Sequence, residues 1–261
     1  MESVFPGSIW LIGGTTESTA ISQTLVEAQL SCWVTVTTDS ARNLYPQNPD
    51  LQVWVGCLNF SQAEKFVHQQ EIRAIVDASH PYATKISHLA IALSQKYQIP
   101  YLRFERPVHT NEDRGKIIAY LQTIEELLHT EFIDGKRVLL TVGYKALPLF
   151  QDYHHRSKLF ARILPKLESL EVALASGFPS QQIIALRPPI TPELEMALWQ
   201  QWQIDLVVTK ASGKAGGEDT KLAVAKKLDI PVIIISRPKL TYPQQTSDFS
   251  QVLAFCQEYV F

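Results

Sequence analysis

Cysteine is scarce in this sequence, and its spacing suits neither a disulfide framework nor a structural metal site. The 261 residues include only Cys32, Cys57 and Cys256, an odd number with wide separations. No CxxC pair occurs, and no histidine lies at metal-ligand spacing from any of the three. We therefore expect no disulfide scaffold, no structural zinc and no metal-binding residues.

An excess of basic residues is also missing. Lysine and arginine together number 24 against 26 acidic residues, so the formal net charge is −2. This balance gives no support to nucleic-acid binding or to a polybasic membrane surface. Residues 1–7 lack the pattern of a secretory leader, and no stretch approaches the ~18 apolar residues of a membrane span. We expect a cytoplasmic protein in which any anion binding is local.

The common hydrolase and metalloenzyme signatures are absent as well. No Ser-His-Asp ordering, HExxH motif, EF-hand loop or carboxylate pair stands out. His154 and His155 lie in a polar stretch that we interpret as a solvated turn. These absences leave functions that need no conspicuous catalytic motif.

What the sequence does contain is a regular alternation of apolar runs and helical patterns. Short apolar runs rich in β-formers recur through both halves, at 8–12, 32–37, 51–55, 74–78, 100–104, 116–119, 137–142, 159–163, 182–186, 205–209 and 231–236. Helical patterns separate them, notably at 61–70, 83–98, 124–130, 192–202 and 220–228. Strands alternating with helices at this spacing predict an α/β fold with mainly parallel sheets and right-handed crossovers.

The two halves of the chain echo each other around one βαβ unit. Each half has an apolar strand, an Ala-Ser pair, a Thr-Lys pair, a helix, an Ile-Pro pair, a second strand and an Arg-Pro pair. The pairs are Ala78-Ser79, Thr84-Lys85, Ile99-Pro100 and Arg106-Pro107, then Ala211-Ser212, Thr220-Lys221, Ile230-Pro231 and Arg237-Pro238. We predict two similarly wound domains, 1–110 and 111–261, joined by a polar linker at 107–115.

A glycine turn follows the first predicted strand directly. Gly13-Gly14-Thr15-Thr16 stands between that strand and the first helical pattern. A turn without side chains lets backbone amides and the helix N-terminus face an anion, and ligands of open α/β sheets bind at the carboxyl ends of strands. The turn predicts a nucleotide-phosphate site. It lacks the GxGxxG fingerprint, so a tight structural connection is the alternative.

The end of the second strand is where such folds contact the adenosine ribose. Thr38 and Asp39 are followed there by Arg42. An acid at this place favours a free 2′-hydroxyl, whereas an arginine can pair with a 2′-phosphate. Both residue types are present, and a solvated loop is the alternative.

The fourth predicted strand leads into a possible cap. Ser79 and His80 precede Pro81, which suits the first turn of a helix and disfavours a helical conformation in the residue before it. His80 would then look into a ligand cleft. A lone histidine is more often a structural residue, and that alternative stays open.

The equivalent place in the second half holds a glycine-rich loop. Lys210, Ser212, Gly213 and Lys214 precede Gly216-Gly217 and a predicted helix. Lysines, a serine and glycines before a helix N-terminus predict an anion cradle. The spacing is not that of a P-loop, and a mobile surface loop is the alternative.

Together, these motifs resemble the precorrin-6A reductase family of cobalamin biosynthesis. The matching stretches are 11–17, 77–83, 100–103, 105–107, 141–144 and 208–213, in the order of that family. Two differences are conservative, since the family often has Thr and Phe where this chain has Ser79 and Tyr82. Ser40-Ala41-Arg42 is a divergent form of the Ala-Gly-Arg that often follows the second strand of family members.

The resemblance implies two Rossmann-like domains with a ligand cleft between them. It also implies NADPH as the hydride donor and a carboxylate-rich tetrapyrrole, reduced at one double bond, as the substrate. The expected cofactor-binding residues are Gly13, Gly14, Thr15, Thr16, Thr38, Arg42 and Ser79, with His80 as the catalytic residue. The expected substrate-binding residues are Tyr82, Arg106, Tyr144, Lys145, Lys210, Ser212 and Gly213, and Arg103 and Lys214 are further candidate cations.

Two other functions remain open at this point. One is a non-catalytic dinucleotide-sensing module whose second domain binds a regulatory partner. The other is a tetrapyrrole-cyclising enzyme without cofactor, which the Gly-Gly-Thr turn disfavours. The sequence does not distinguish a cobalt-containing from a metal-free substrate, and it leaves the oligomeric state and the proton donor undetermined.

Overall fold

The computed structural model describes residues 7–106 and 116–260, and the predicted linker at 107–115 lies outside them. The chain divides into two compact units. Unit 1 comprises Met1–Pro107 together with Pro238–Phe261, and unit 2 comprises Val108–Arg237. Each unit contains a six-stranded parallel sheet flanked by helices, which confirms the predicted α/β class and the two Rossmann-like sheets.

Unit 1 begins with five strands that alternate with helices. In chain order these are β1 (Ser8–Ile12), α1 (Thr16–Glu27), β2 (Cys32–Val36), α2 (Asp39–Arg42), β3 (Leu51–Val55), α3 (Phe60–Gln69), β4 (Ile72–Asp77), α4 (Thr84–Tyr97) and β5 (Tyr101–Phe104). The carboxyl-terminal part of the chain adds β12 (Gln245–Thr246) and α9 (Phe249–Val260). The sheet order is β12-β5-β4-β1-β2-β3, with every pair parallel.

The central strand β1 is buried on both faces, as parallel sheets covered by helices require. Ile9 and Leu11 join the core cluster beneath α1 and α9. Trp10 and Ile12 point to the opposite face and pack with residues of α3 and α4. The alternation of side chains along a strand thus divides one apolar run between two separate cores.

Unit 2 repeats this architecture, but its first strand lies at the edge of the sheet and not at its centre. Its elements are β6 (Ile117–Leu121), α5 (Ile124–Leu128), β7 (Arg137–Thr141), β8 (Lys158–Ile163), α6 (Leu167–Ala175), β9 (Ile183–Ala185), α7 (Pro192–Gln201), β10 (Leu206–Lys210), α8 (Glu218–Leu228) and β11 (Val232–Ile235). A 3₁₀ helix, Tyr144–Tyr153, connects β7 to β8. The sheet order is β6-β11-β10-β7-β8-β9.

The sequence echo corresponds to equivalent places in the two sheets. The segment β4-α4-β5 lies beside the central strand β1, and β10-α8-β11 lies in the same way beside β7. Only the sixth strand differs in origin, because β12 comes from the end of the chain whereas β6 precedes β7. The carboxyl ends of β1 and β4 in unit 1 therefore correspond to those of β7 and β10 in unit 2.

The predicted boundary of the second domain requires a correction. The sequence pattern assigns residues 111–261 to it, but 238–261 belong to unit 1. β12 pairs with β5 through Gln245 and Thr246, and α9 buries Val252 and Phe255 in the core beneath β1. A two-residue strand has no recognisable pattern, so the sequence did not reveal the return of the chain.

Within residues 7–106 and 116–260, none of the helices combines the length and the hydrophobicity of a transmembrane segment. The longest helix in either unit, α4, has 14 residues and places small and apolar residues such as Ser87, Ala90 and Leu93 against the sheet. Helices such as α4 therefore cover a sheet through one buried face, whereas the four-residue helix α2 buries none of its residues.

We expect Phe255→Ala to destabilise unit 1 selectively. Its ring is 7% exposed in the core beneath β1, and truncating such a side chain typically costs about 3–5 kcal/mol. Native-state hydrogen exchange should show lost protection in β1 and β4, with β7 and β10 unchanged. Leu167→Ala, at a side chain that is 73% exposed, is the control. Loss of protection in β7 and β10 instead would contradict the assignment of α9 to unit 1.

Candidate functional site

The turn after β1 is built around two glycines with different surroundings. The Gly13 amide donates to the Thr35 carbonyl at 2.9 Å, and a Cβ at Gly13 would lie 2.3 Å from Tyr45 Oη. Gly14 has φ +97°, and a Cβ there would have no atom within 4 Å. Gly13 is therefore required by packing, whereas the face of Gly14 is open to an approaching ligand.

Tyr45, which the sequence analysis did not single out, holds this turn in place. Its hydroxyl accepts a hydrogen bond from the Gly14 amide at 2.7 Å and lies 2.7 Å from Ser18 Oγ. Burial raises the pKa of Tyr45, although its hydrogen bonds oppose the shift. Tyr45 follows α2, far from Gly14 in sequence, and no local pattern connects the two.

Thr15 links the first turn to the end of β4. Its side chain caps α1 by accepting from the Ser18 amide at 3.1 Å, and its hydroxyl donates to the Ala78 carbonyl at 2.8 Å. Ser18 completes the reciprocal cap by accepting from the Thr15 amide at 3.0 Å. The next amides, those of Thr16 and Glu17, belong to the first turn of α1, where an α-helix offers them no internal acceptor.

Thr38 and Arg42 follow β2, so they lie at the same carboxyl edge of the sheet as the glycine turn after β1. Thr38 Oγ1 lies 3.1 Å from Ser40 Oγ, just before α2. Arg42 ends α2 and is exposed, and its Nη2 donates to the Val53 carbonyl at 3.1 Å. This bond holds the guanidinium against β3. The other N–H groups of Arg42 belong to the same exposed side chain.

A buried carboxylate closes the end of β4. Asp77 Oδ1 accepts from the Ser79 amide at 3.0 Å and from Arg103 Nη1 at 2.8 Å. Its Oδ2 accepts from Ser87 Oγ at 2.6 Å and from Tyr101 Oη at 2.7 Å. The carboxylate is therefore fully satisfied and joins β4, α4 and β5.

Arg103 belongs to this buried network. It is 1% exposed, its Nε donates to Glu105 Oε2 at 2.8 Å, and its Nη1 donates to Ser79 Oγ at 3.1 Å. Burial by itself lowers the pKa of Arg103, but the carboxylates of Asp77 and Glu105 outweigh it and raise that pKa. Its suggested role as a cation for substrate is therefore corrected to a structural one.

His80 and Tyr82 follow Ser79 at the carboxyl edge of β4. His80 is exposed, and its Nδ1 accepts from the Tyr82 amide at 3.3 Å. The two rings lie 5.7 Å apart between centroids, and Tyr82 is half-buried. The helix α4 begins only at Thr84, so the cap expected at Ser79 or His80 is wrong, and Pro81 lies in a turn before the helix and not in its first turn. The imidazole lies on the surface of this edge.

Arg106 lies at the end of β5 and pairs with the first turn of α1. Its Nη2 contacts Glu17 Oε2 at 2.7 Å, and both side chains are largely buried. Ala78, Ser79 and Pro81 border the same small depression as this ion pair. Residues expected to bind cofactor and substrate are therefore neighbours in unit 1.

In unit 2, the ends of the adjacent strands β7 and β10 bring two lysines together. Burial lowers the pKa of Lys210, and the ammonium of Lys145 lowers it further. Lys145 Nζ lies 5.9 Å from the centroid of the Tyr144 ring. Burial and a hydrogen bond with Glu168 raise the pKa of Tyr144 to about 12. This edge is cationic and bordered by one aromatic side chain.

The glycine-rich loop after Lys210 is closely packed. Ser212 is 8% exposed, and a Cβ at Gly216 would lie 2.0 Å from its hydroxyl oxygen. The Gly213 amide donates to Glu218 Oε2 at 2.7 Å, and Arg237 Nε donates to the Ala211 carbonyl at 2.8 Å. These contacts favour a formed cradle over a loose surface loop, and Lys214 is exposed.

The predicted residues thus form two sets, one in each unit. Unit 1 assembles Gly13, Gly14, Thr15, Thr16, Thr38, Arg42, Ser79, His80, Tyr82 and Arg106 at the carboxyl edge of its sheet, and unit 2 assembles Tyr144, Lys145, Lys210, Ser212 and Gly213. No cluster of His, Cys, Asp and Glu that could hold a metal ion occurs in the part of the chain described.

Comparisons with known proteins agree with this architecture. Residues 8–257 match the family described as "Precorrin-6x reductase CbiJ/CobK". The chain is 45% identical over 253 residues to cobalt-precorrin-6A reductase of Synechocystis sp., covering 97% of both chains. It is 33% identical to the Priestia megaterium protein of that name, covering 94% of this chain and 96% of the other. These matches give no support to a regulatory sensor.

Two further matches extend the comparison. Precorrin-6A reductase of Rhodococcus erythropolis is 31% identical, with 92% of this chain and 93% of that protein covered. A solved structure titled "CobK precorrin-6A reductase" superposes with a TM-score of 0.77 at 20% identity, covering 97% of this chain and 96% of the other. At this identity, the solved structure supports the fold alone. Among the relatives, some are named cobalt-precorrin-6A reductase and others precorrin-6A reductase.

We expect Arg103→Met to destabilise the protein by about 3–5 kcal/mol, because it leaves the buried Asp77 carboxylate without its cation. Urea unfolding monitored by circular dichroism measures this change. Arg73→Met, at an exposed position of β4 in the same sheet, is the control. A variant of unchanged stability that only bound substrate more weakly would return Arg103 to the list of substrate-binding cations.

Proposed function

The chain belongs to the precorrin-6x reductase family, CbiJ/CobK, and we propose that it reduces one macrocycle double bond of precorrin-6A, or of its cobalt complex, with NADPH. The reaction is a step of cobalamin biosynthesis. When bound, NADPH supplies a hydride to the acceptor carbon of the ring. The protein's own residues bind the two reactants, orient them and exclude water.

The observation that carries the cofactor assignment is the open face of Gly14. Its positive φ and the empty space around its missing Cβ suit the close approach of a diphosphate to the backbone. The Gly14 amide is already bonded to Tyr45, so the amides of Thr16 and Glu17 are the donors that we assign to the diphosphate. Thr15 fixes their direction by capping α1.

An acid in the first turn of α1 would repel a diphosphate. Arg106 neutralises Glu17 through their ion pair at 2.7 Å, which makes an anion at this helix N-terminus less costly. We therefore propose that Arg106 supports the cofactor site electrostatically, in addition to its expected role toward substrate.

Arg42 is proposed to pair with the 2′-phosphate of NADPH. It lies after β2, where the ribose of a dinucleotide binds in such sheets, and its bond to Val53 limits the freedom of the guanidinium. Thr38 at the start of α2 is the proposed hydroxyl partner beside it. A guanidinium offers paired donors that match phosphate geometry.

The edge of β4 carries the proposed catalytic contacts. Hydride transfer needs no side-chain nucleophile, so His80 is proposed to contact cofactor or substrate and hold them in place. Ser79 is proposed to border the cofactor and Tyr82 the substrate. The buried Asp77 network keeps this segment fixed through the Ser79 amide.

The cationic edge of unit 2 is proposed to bind the carboxylates of the tetrapyrrole. The ammonium of Lys145 disfavours the charged form of Lys210, and a bound carboxylate would relieve this repulsion. Charge-assisted hydrogen bonds from the lysines and from Ser212 would hold it, with Gly213 allowing close approach of the backbone. Tyr144 is the proposed apolar contact for the edge of the macrocycle.

We expect Gly14→Ala to weaken NADPH binding at least tenfold, because the new methyl group occupies the proposed diphosphate position. Gly135→Ala is a matched control, since Gly135 also has a positive φ, +69°, with no atom within 4 Å of a Cβ, but lies at the amino end of β7. Fluorescence titration measures binding, and NADPH oxidation on addition of precorrin-6A or its cobalt complex measures turnover. Equal losses of NADPH affinity in both variants would mean that backbone strain alone causes the loss. A wild-type protein that does not oxidise NADPH in the presence of either substrate would contradict the proposed reductase activity.

We expect Arg42→Ala to weaken NADPH binding by about tenfold to a hundredfold, as the loss of a charged hydrogen-bond partner worth ~1.5–3 kcal/mol implies. NADH lacks the 2′-phosphate, so its affinity should change much less. Parallel titrations with both cofactors make this comparison, and Arg73→Ala is the control. An equal loss for NADH and NADPH would refute the proposed preference.

A further inference from the structure

Lys221 is buried under the glycine-rich loop of unit 2, and nothing assigned so far uses it. Its side chain is 3% exposed, and its Nζ donates to the Gly216 carbonyl at 2.9 Å. Lysines are almost never fully buried without a compensating partner, because removing an ammonium from water is costly. Such a position calls for an explanation beyond packing.

The loop is fastened at both ends by side chains of α8. Glu218 accepts from the Gly213 amide at 2.7 Å, and Lys221 donates to the Gly216 carbonyl. Glu218 and Lys221 therefore define the shape of the segment that follows Lys210. Loss of either contact would loosen one end of the proposed carboxylate cradle.

The charged surroundings of Lys221 come from three elements. Arg162 on β8 contacts the carboxylate of Glu195 on α7, and Glu218 and Asp219 lie on α8 itself. Burial is the main cause that lowers the pKa of Lys221, and the positive charge of Arg162 lowers it further. The three carboxylates oppose this shift, and the resulting pKa is about 7. The amine therefore changes its charge near neutral pH.

The internal echo provides a comparison within the same chain. Lys85 occupies the Thr-Lys pair of unit 1 that matches Thr220-Lys221 of unit 2. Lys85 is exposed at the start of α4, whereas Lys221 is buried. The repeated pattern thus contains one solvated lysine and one that reaches the loop.

We propose that Lys221 is a positioning residue of the substrate loop, and that its protonated form strengthens the binding of anionic groups by residues 210–217. The proposal rests on the assignment of that loop to the carboxylates of the substrate. An anionic ligand favours the ammonium over the neutral amine, so its binding raises the pKa of Lys221. By linkage, affinity is greatest below pH 7 and falls as the pH rises through 7.

The test compares substrate KM at about pH 6 and about pH 8 in the wild type, Lys221→Met, Lys221→Arg and Lys85→Met. With a Lys221 pKa of about 7 in the free protein and one unit higher in the complex, linkage makes the wild-type KM about fivefold higher at pH 8 than at pH 6. Lys221→Met should have a high KM at both pH values, and Lys221→Arg a low KM at both. Lys85→Met should follow the wild type, and the KM for NADPH should not change in any variant.

A second measurement covers the case in which a variant does not fold. Calorimetry of tetrapyrrole binding without NADPH, in buffers of different ionisation enthalpy, should show uptake of about half a proton by the wild type near pH 7. The proposal would be overturned by a wild type whose substrate KM does not change with pH and which takes up no proton on binding. It would also be overturned by a Lys221→Met variant whose KM depends on pH as in the wild type. A wild type that does not reduce the tetrapyrrole at all would instead contradict the proposed function itself.

Discussion

The buried carboxylate of Asp77 is the constraint on which the carboxyl edge of unit 1 depends. Its two oxygens accept hydrogen bonds from Ser79, Ser87, Tyr101 and Arg103, so the costly burial of two charges is compensated on every side. The network fixes the backbone that carries His80, and Thr15 connects the nucleotide turn to the same segment through the Ala78 carbonyl. The candidate site of unit 1 is thus positioned by one fully satisfied ion pair.

Unit 2 repeats the fold without repeating this electrostatic arrangement. Lys210 precedes Ala-Ser where unit 1 has Asp77, and the neighbouring strand β11 is apolar throughout its four residues, Val232–Ile235. That strand therefore carries no arginine like Arg103 of β5, and the ammonium of Lys145 lowers the pKa of Lys210 in addition to burial. The same topology therefore places a buried ion pair, Asp77–Arg103, at the edge of one sheet and two neighbouring lysines, Lys145 and Lys210, at the edge of the other.

The helix α8 shows how a folded unit can place charge where sequence pattern alone would not. Its first turns contribute Glu218 and Lys221 to opposite ends of the preceding loop, and Arg162 and Glu195 complete a buried charged group beneath it. In unit 1 the matching lysine is solvated, so the difference arises from the surroundings and not from the pattern.

The sequence by itself determined the parallel α/β architecture, the alternation of strands and helices as far as β11, the glycine turn and the internal echo, because period and turn chemistry are local. It also carried enough ordered motifs to indicate the family. Only the tertiary structure decided that Arg103 is a buried partner of Asp77, that Tyr45 holds Gly14, and that 238–261 complete unit 1. Each of these depends on which strands become neighbours, and pairing between distant segments leaves no periodic trace in the chain.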